Sequence, residues 1–226
     1  MFRPMSPVAL LLVGALALAS PARAENDGQI WVNYLMQGPI RGNLWLWFDT
    51  SARFTDGSER LGQSQVRGGL GARIAPGVTA VGGYAYIRTE PADRPALSEH
   101  RPWQQLIFPI VTGERAQIVG RTRLEQRFRE DAEGMSLRLR QFVRASVSLG
   151  DRRAPRAIAW YEGFITLQEA GWGPATGFDQ HRGFVGMGFP LGRHALEAGY
   201  FVQRLPQAEP DTVNRAFHLT LVVNLP

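Results

Sequence analysis

Charged side chains alternate with other residues along Arg121–Arg129, which reads Arg-Thr-Arg-Leu-Glu-Gln-Arg-Phe-Arg. On a helix these five charges would scatter around the axis, whereas the period of two of a β-strand places them on one face. The segment 135–149 repeats the pattern, with Arg138, Arg140 and Arg144 opposite an apolar face. A soluble sandwich buries the apolar face of such strands, whereas a membrane barrel turns it outward. The rest of the chain must decide between these two arrangements.

Alternation of this kind recurs along the chain, in segments of about 10–15 residues, and helical periodicity is absent. Soluble strands are most often about 5–6 residues long, whereas membrane strands need about 9–11. The segment lengths therefore favour a membrane barrel. The ten predicted strands are 43–54, 63–74, 78–88, 99–109, 117–129, 135–149, 156–168, 178–189, 194–204 and 214–225.

The predicted connections alternate between short turns, such as 75–77 and 190–193, and longer loops, such as 89–98 and 169–177. Short turns at one barrel end and long loops at the other are typical of outer-membrane proteins. The segment 30–37 also has strand character, either as a partial strand or inward tuck or as a full strand whose partner is missed. We predict an all-β fold, a single closed antiparallel transmembrane β-barrel of about 10–12 strands.

Residues 1–24 have the three parts of a signal peptide. Arg3 provides a positive start, Val8–Ala19 an apolar core that is short of the ~20 residues of a spanning helix, and Ala22-Arg-Ala24 a cleavage site. The predicted domains are a signal peptide, 1–24, and an outer-membrane β-barrel, 25–226. This predicts a Gram-negative outer-membrane location, with outer-membrane lipid and the barrel-assembly machinery as partners. The C-terminal Asn224-Leu-Pro226 lacks the aromatic residue with which such chains usually end.

Composition excludes several kinds of chemistry. The chain has no cysteine, so thiol catalysis and cysteine metal sites are excluded, and no cofactor is predicted. All 25 basic residues are arginine, which suits bidentate pairing with carboxylates. The positive charge alternates with apolar residues inside strands, a pattern that argues against nucleic acid as a partner.

The charged strand faces are predicted to line the lumen. Arginine forks that clamp glutamates would satisfy the buried charges there, while an excess of cations would suit an anionic ligand or pore. The same alternation places Asp49, Arg53, Arg67, Arg73, Arg88 and Arg144 inward, and Leu124, Phe128, Leu139, Val143, Leu219 and Leu221 outward. The predicted lumen charge network comprises Glu99, Arg101, Arg121, Arg123, Glu125, Arg127, Arg138, Arg140, Glu162, Arg182 and Glu197.

Several charged motifs follow one another in order. They are Glu99-His-Arg-Pro-Trp-Gln-Gln105, Arg121-Thr-Arg-Leu-Glu-Gln-Arg127, Tyr161-Glu-Gly-Phe164, Gln180-His-Arg182 and Glu197-Ala-Gly-Tyr200. Together they resemble a domain-of-unknown-function family of exported Gram-negative proteins that is grouped with outer-membrane β-barrels. The resemblance covers nearly the whole mature chain and implies a location and a fold, with no established activity.

The function predicted from these features is structural, or that of a narrow, porin-like, anion-preferring pore. The alternatives are a lipid-modifying outer-membrane acyl hydrolase or transferase, and a periplasmic lipid- or anion-binding β-protein. Catalysis would need Ser, His and an acid at one point. Ser98, Glu99 and His100 are consecutive, but neighbours on a strand point to opposite faces. We therefore predict that the protein is not an enzyme and has no catalytic or metal-binding residues.

Overall fold

The computed structural model describes residues 28–151, 153–206 and 212–226, so the predicted signal peptide lies outside the described residues. The described residues form strands and turns, and contain no helix long and apolar enough to cross a membrane. The strands are β1 (Gln29–Arg41), β2 (Leu44–Thr55), β3 (Arg60–Ala75), β4 (Val78–Thr89), β5 (Leu97–Val111), β6 (Ala116–Arg129), β7 (Ser136–Ser148), β8 (Arg156–Gln168), β9 (Gly177–Leu191), β10 (His194–Leu205) and β11 (Thr212–Asn224).

The strands close into one barrel in which each strand pairs with its neighbours in the chain and β1 pairs with β11. The prediction of a closed β-barrel is confirmed. The segment 30–37 is part of the full strand β1, so the barrel has eleven strands. The antiparallel prediction is wrong at the β1–β11 seam, which is parallel. The reason is that an odd number of hairpin-linked strands leaves the first and the last running in the same direction.

The two ends of the barrel differ in their connections. At one end, which we call the hairpin end, β1–β2, β3–β4 and β9–β10 are each joined by two residues. At the other, which we call the loop end, β4–β5, β6–β7, β8–β9 and β10–β11 are joined by six to eight. The connection 149–155 at the hairpin end, with seven residues, departs from this pattern. Strands β1 and β11 both begin at the loop end.

The outer surface of the barrel is largely apolar, and most charged side chains within the strands point inward. Uncharged polar pairs on the outer face of β5–β7, Gln104 with Gln126 and Thr122 with Gln141, interrupt the apolar surface. Val66, near the middle of β3, is 50% exposed, whereas its neighbour Arg67 is 5% exposed. Of the six residues predicted to face outward, Phe128 and Leu221 are exposed and the other four are half-buried. Other exposed apolar residues are Ile30, Val32, Leu70, Tyr84, Leu106, Phe178, Phe189, Tyr200 and Phe217.

Strand β4 turns the opposite face inward from the one predicted. Val81, Ala85 and Ile87 are buried in the lumen, and Arg88 is exposed at the loop end, where its Nε donates to Glu90 at 2.9 Å. The apolar residues of β4 pack with Trp47 and Trp103 in one lumen cluster. The charge of Arg88 therefore did not identify the lumen face of β4, because a charged residue at the end of a strand can contact water whichever face it lies on.

Glycines in β3 and β4 make room for Trp103, which is fully buried. A Cβ at Gly69 would lie 2.6 Å from Cη2 of Trp103, and one at Gly83 would lie 2.6 Å from its Cζ2. A Cβ at Gly68, on the outer side of β3, would have no atom within 4 Å. The sheet therefore accommodates the indole ring only where a side chain is missing.

We predict that Gly69→Ala destabilises the barrel by about 1–3 kcal/mol, because the added methyl group overpacks the lumen against Trp103. The measurement is the urea midpoint of unfolding in detergent micelles. Gly68→Ala is the matched control and should leave the midpoint unchanged. Equal midpoints for the two variants would contradict the tight packing of Trp103.

Candidate functional site

Glu125 lies at the centre of a buried network of ion pairs. Its side chain is 1% exposed and accepts from Arg140 Nη1 at 2.6 Å and from Arg138 Nη2 at 2.7 Å. Arg101 and Arg123 lie further off, at 4.0 and 3.9 Å. The sheet produces this arrangement because Glu125 on β6 pairs directly with Arg138 on β7, and Arg123 with Arg140. Directly paired residues on one face are the closest side-chain neighbours in a sheet.

Two further glutamates extend the network across the lumen. Arg140 also donates to Glu162 of β8 through Nη2 at 2.8 Å, and Arg121 Nη2 donates to the same carboxylate at 2.7 Å. On the other side, Glu99 of β5 accepts from Arg101 Nε at 2.7 Å and from Arg127 Nε at 2.6 Å. The ion pairs therefore run without interruption from β5 to β8.

The structure brings nine of the eleven predicted network residues together and leaves two outside. Glu197 pairs separately with Arg144, at 2.6 Å between Nη2 and Oε1. Arg182 has no carboxylate within 4.0 Å among the described residues. It bonds instead to the amide oxygen of Gln180, in the amide orientation that suits its neighbours. The connected residues are Glu99, Arg101, Arg121, Arg123, Glu125, Arg127, Arg138, Arg140 and Glu162.

Aromatic rings and amides, which the charge pattern did not mark, complete the site. The guanidinium carbons of Arg140, Arg182 and Arg138 lie 4.6, 4.7 and 5.1 Å from the centre of the Phe164 ring. Gln105 accepts from Arg123 Nε at 2.8 Å. Phe164 lies on the same strand face as Glu162, and Gln105 lies on the same strand face as Arg101. This alternation was the signal in the sequence that could have identified both residues.

Positive charge exceeds negative charge inside the lumen. Besides the Arg144–Glu197 pair, nine arginines and five carboxylates of the described residues line the interior of the lumen, away from the strand ends at the hairpin end. The arginines are Arg53, Arg67, Arg101, Arg121, Arg123, Arg127, Arg138, Arg140 and Arg182, and the carboxylates are Asp49, Glu99, Glu125, Glu162 and Asp179. The ion pairs therefore leave an excess of positive charge in the interior.

An open cavity of about 420 Å³ lies at the loop end of the lumen, beside the network. Its lining includes Arg101, Arg127 and Arg138 from the network, and Trp31 and Arg53 from β1 and β2. We call this cavity the vestibule. Its volume falls within the range of small-molecule sites, about 300–1,000 Å³.

A polar cluster lies on the outer side of the loop end, where Ser98, His100 and Glu130 come together. His100 contacts the Tyr84 hydroxyl through Nδ1 and Glu130 through Nε2, the latter at 2.8 Å. Hydrogen bonds from His100 and Ser98 hold the pKa of the Glu130 carboxyl below its usual range. Glu99 points into the lumen, as the sequence predicts. In this arrangement neither histidine nitrogen bonds to Ser98, so these residues do not form a nucleophile–base pair.

The remaining histidines lie apart from one another. His218 packs in the lumen against Phe184 and Phe201, and its Nε2 is 3.0 Å from Nδ2 of Asn33. His181 lies on the outer side against Tyr161. Within the described ranges, no group of three His, Cys, Asp or Glu side chains is placed to hold a metal ion.

The fold and site together define a class of protein: a closed β-barrel with a largely apolar exterior and an Arg/Glu cluster buried in its lumen. Residues 28–214 match the family described as "Protein of unknown function (DUF2490)", and the chain belongs to that family. The resemblance to a family of unknown function, noted from the motifs, is thereby confirmed. The chain is 29% identical over 201 residues to an uncharacterised protein of Methylorubrum extorquens, in an alignment that covers 88% of this chain and 86% of that protein.

Proposed function

We propose that the protein is an outer-membrane β-barrel whose Arg/Glu network braces the lumen and restricts it to small anions. The observation that carries the proposal is the inverted polarity of the barrel. Arg123 and Glu125 are 1% exposed inside it, whereas Val66 and Leu70 are 50% and 62% exposed outside. Such an exterior is unfavourable in water and suited to lipid.

Strand length and end asymmetry support a membrane location. The strands have 12–16 residues, which exceeds the about 9–11 that a tilted strand needs to cross a bilayer. Four of the five connections of six or more residues lie at one end, and outer-membrane barrels likewise have their longer loops at one end. In this proposal the barrel contacts outer-membrane lipid and enters the membrane through the assembly machinery.

The network supports a narrow or closed lumen. Ion pairs cross it from β5 to β8, and Trp103, Phe164 and Phe184 fill the space beside them. Small barrels are commonly filled by their own side chains in this way. The excess of arginine over acids favours anions among the solutes that pass.

We predict that the barrel gives small or no conductance in planar bilayers, and that any current prefers anions. The preference should weaken at high salt, because ions screen the lumen charges. The measurements are single-channel current and reversal potential in a KCl gradient, together with outer-membrane fractionation and heat-modifiable migration. Large cation-selective currents, or a soluble periplasmic protein, would contradict the proposal.

The same preparation tests the alternative of a lipid-modifying enzyme. Phospholipid and lipopolysaccharide incubated with the barrel should remain intact, because His100 engages Tyr84 and Glu130 and leaves Ser98 without a base. Release of fatty acid that is lost in His100→Ala would instead assign catalysis to the polar cluster at the loop end.

A further inference from the structure

Two arginines in the vestibule form no ion pair with a carboxylate among the described residues. Arg53 and Arg182 both line the cavity, and neither has a carboxylate within ion-pair distance in the described part of the chain. Their guanidinium carbons lie 4.0 and 5.6 Å from the centre of the Trp31 ring. Two like charges held against one buried ring repel each other, and an anion between them would relieve that repulsion.

Donors without partners are present in the lining of the vestibule, on Arg53 of β2 and on Arg127 of β6, across the barrel. Nε of Arg53 and Nη1 of Arg127 are shielded from solvent and make no hydrogen bond to the described residues. A buried donor without a partner is costly, so such groups often mark a ligand position. Of the two carboxylates of the lining, Glu99 is paired with Arg101 and Arg127. Asp179 accepts from Thr166 through Oδ2 at 2.9 Å, and its Oδ1 has no hydrogen-bond partner among the described residues.

A chain of side-chain amides holds the part of the lining around Trp31 in place across the seam. Trp31 Nε1 donates to Gln29 at 2.9 Å, and Gln29 donates to Asn214 at 3.3 Å. Asn214 donates to Gln203 at 3.1 Å. Gln203 and Arg182 then both donate to the Gln180 oxygen, at 2.6 Å and at 2.5 Å through Nε of the arginine. The chain therefore links the ring under Arg53 to Arg182, so the two cations are positioned before any ligand arrives.

We propose that the vestibule is a binding site for the phosphate group of a small molecule, held between Arg53 and Arg182. Arginine forks bind phosphate through paired, charge-assisted hydrogen bonds, and the cavity is large enough for a phosphorylated solute or a lipid headgroup. The site deepens the proposed function and rests on its anion preference. It does not depend on where the barrel is located or on whether it conducts.

The test adds phosphate compounds to the intact barrel in nonionic micelles at low ionic strength. Isothermal titration calorimetry measures binding, and the thermal unfolding midpoint measures stabilisation. The probes are inorganic phosphate, glucose 6-phosphate and micelles doped with phosphatidic acid. Phosphate should bind and raise the midpoint. Arg53→Gln and Arg182→Gln should each weaken binding about tenfold, the typical loss for a charged hydrogen bond. The control is Arg73→Gln, an exposed arginine at the hairpin end, which should bind as the unmodified barrel does.

Thermal unfolding of each variant without phosphate distinguishes a loss of binding from a loss of folding. Arg53→Gln should unfold at the same temperature or a higher one, because it removes a repelled charge. An effect of the free phosphates alone would indicate a soluble ligand, and an effect of doped micelles would indicate a headgroup; either supports the site. Absence of any phosphate effect, or an equal loss in Arg73→Gln, would overturn it. Loss of conductance or of membrane location would leave this result unchanged, so the two proposals fail separately.

Discussion

Glu125→Gln should lower the free energy of unfolding by about 3–5 kcal/mol, because it strands buried charges. The glutamine keeps the size of the side chain and removes the charge that Arg138 and Arg140 share at 2.7 and 2.6 Å. With its carboxylate gone, the excess of positive charge in the lumen rises by one. The measurement is equilibrium unfolding in urea, in micelles, at neutral pH.

Glu133→Gln provides the matched control, since Glu133 is exposed in the loop between β6 and β7. The same chemical change in water should shift the unfolding free energy by less than about 0.5 kcal/mol. Similar midpoints for the two variants would show that Glu125 does not hold the network together.

Val66→Arg should impair insertion into the membrane by about 2–4 kcal/mol, the cost of arginine near the middle of a bilayer. Val66 points outward near the centre of β3 and is 50% exposed. Ile74, on the same face and 60% exposed, lies one residue from the hairpin end of the strand. Arginine there should cost only about 0–1 kcal/mol, because it can reach the interface.

The yield of heat-modifiable barrel in purified outer membranes measures both variants. A barrel that exposes its outer surface to water would accept arginine equally well at the two positions. Equal yields would therefore overturn the assignment of this surface to lipid.

The class of fold was predictable because charged residues recur at every second position, and this spacing is typical of a β-strand. On β6 and β7 the arginines identify the face predicted to line the lumen, and in the structure that face does line the lumen. On β4 both faces are largely uncharged, so Arg88 alone gave the wrong direction. The parallel pairing of β1 with β11 was not predicted, because it follows from an odd number of strands and the alternation in segment 30–37 did not show whether that segment is a full strand.

The sequence predicted which residues belong to the network better than it predicted which of them pair with each other. Which glutamate meets which arginine depends on register between strands, and Arg140 joins Glu125 and Glu162 only because β7 lies between β6 and β8. Arg182 pairs in register with Glu162 on β8 and Gln203 on β10, yet its guanidinium group bonds to the amide oxygen of Gln180, so register alone does not fix the partner. Glutamines such as Gln180 and Gln203 carry no charge to mark them, although they follow the same alternation.

The parallel seam sets an order of events for the folding chain. Every other strand pair joins neighbours in the sequence, whereas the contact of Gln29 with Asn214 spans 185 positions. Contacts of such separation form late, because the closure of a long loop is entropically costly. Until then β1 and β11 present open edges, which are templates for pairing with another chain. Closure must also fit Gly38 tightly against Leu225, where a Cβ would come within 2.7 Å of the leucine Cβ. The interval before closure is therefore when the chain is most exposed to mispairing, and when a helper that covers strand edges would protect it most.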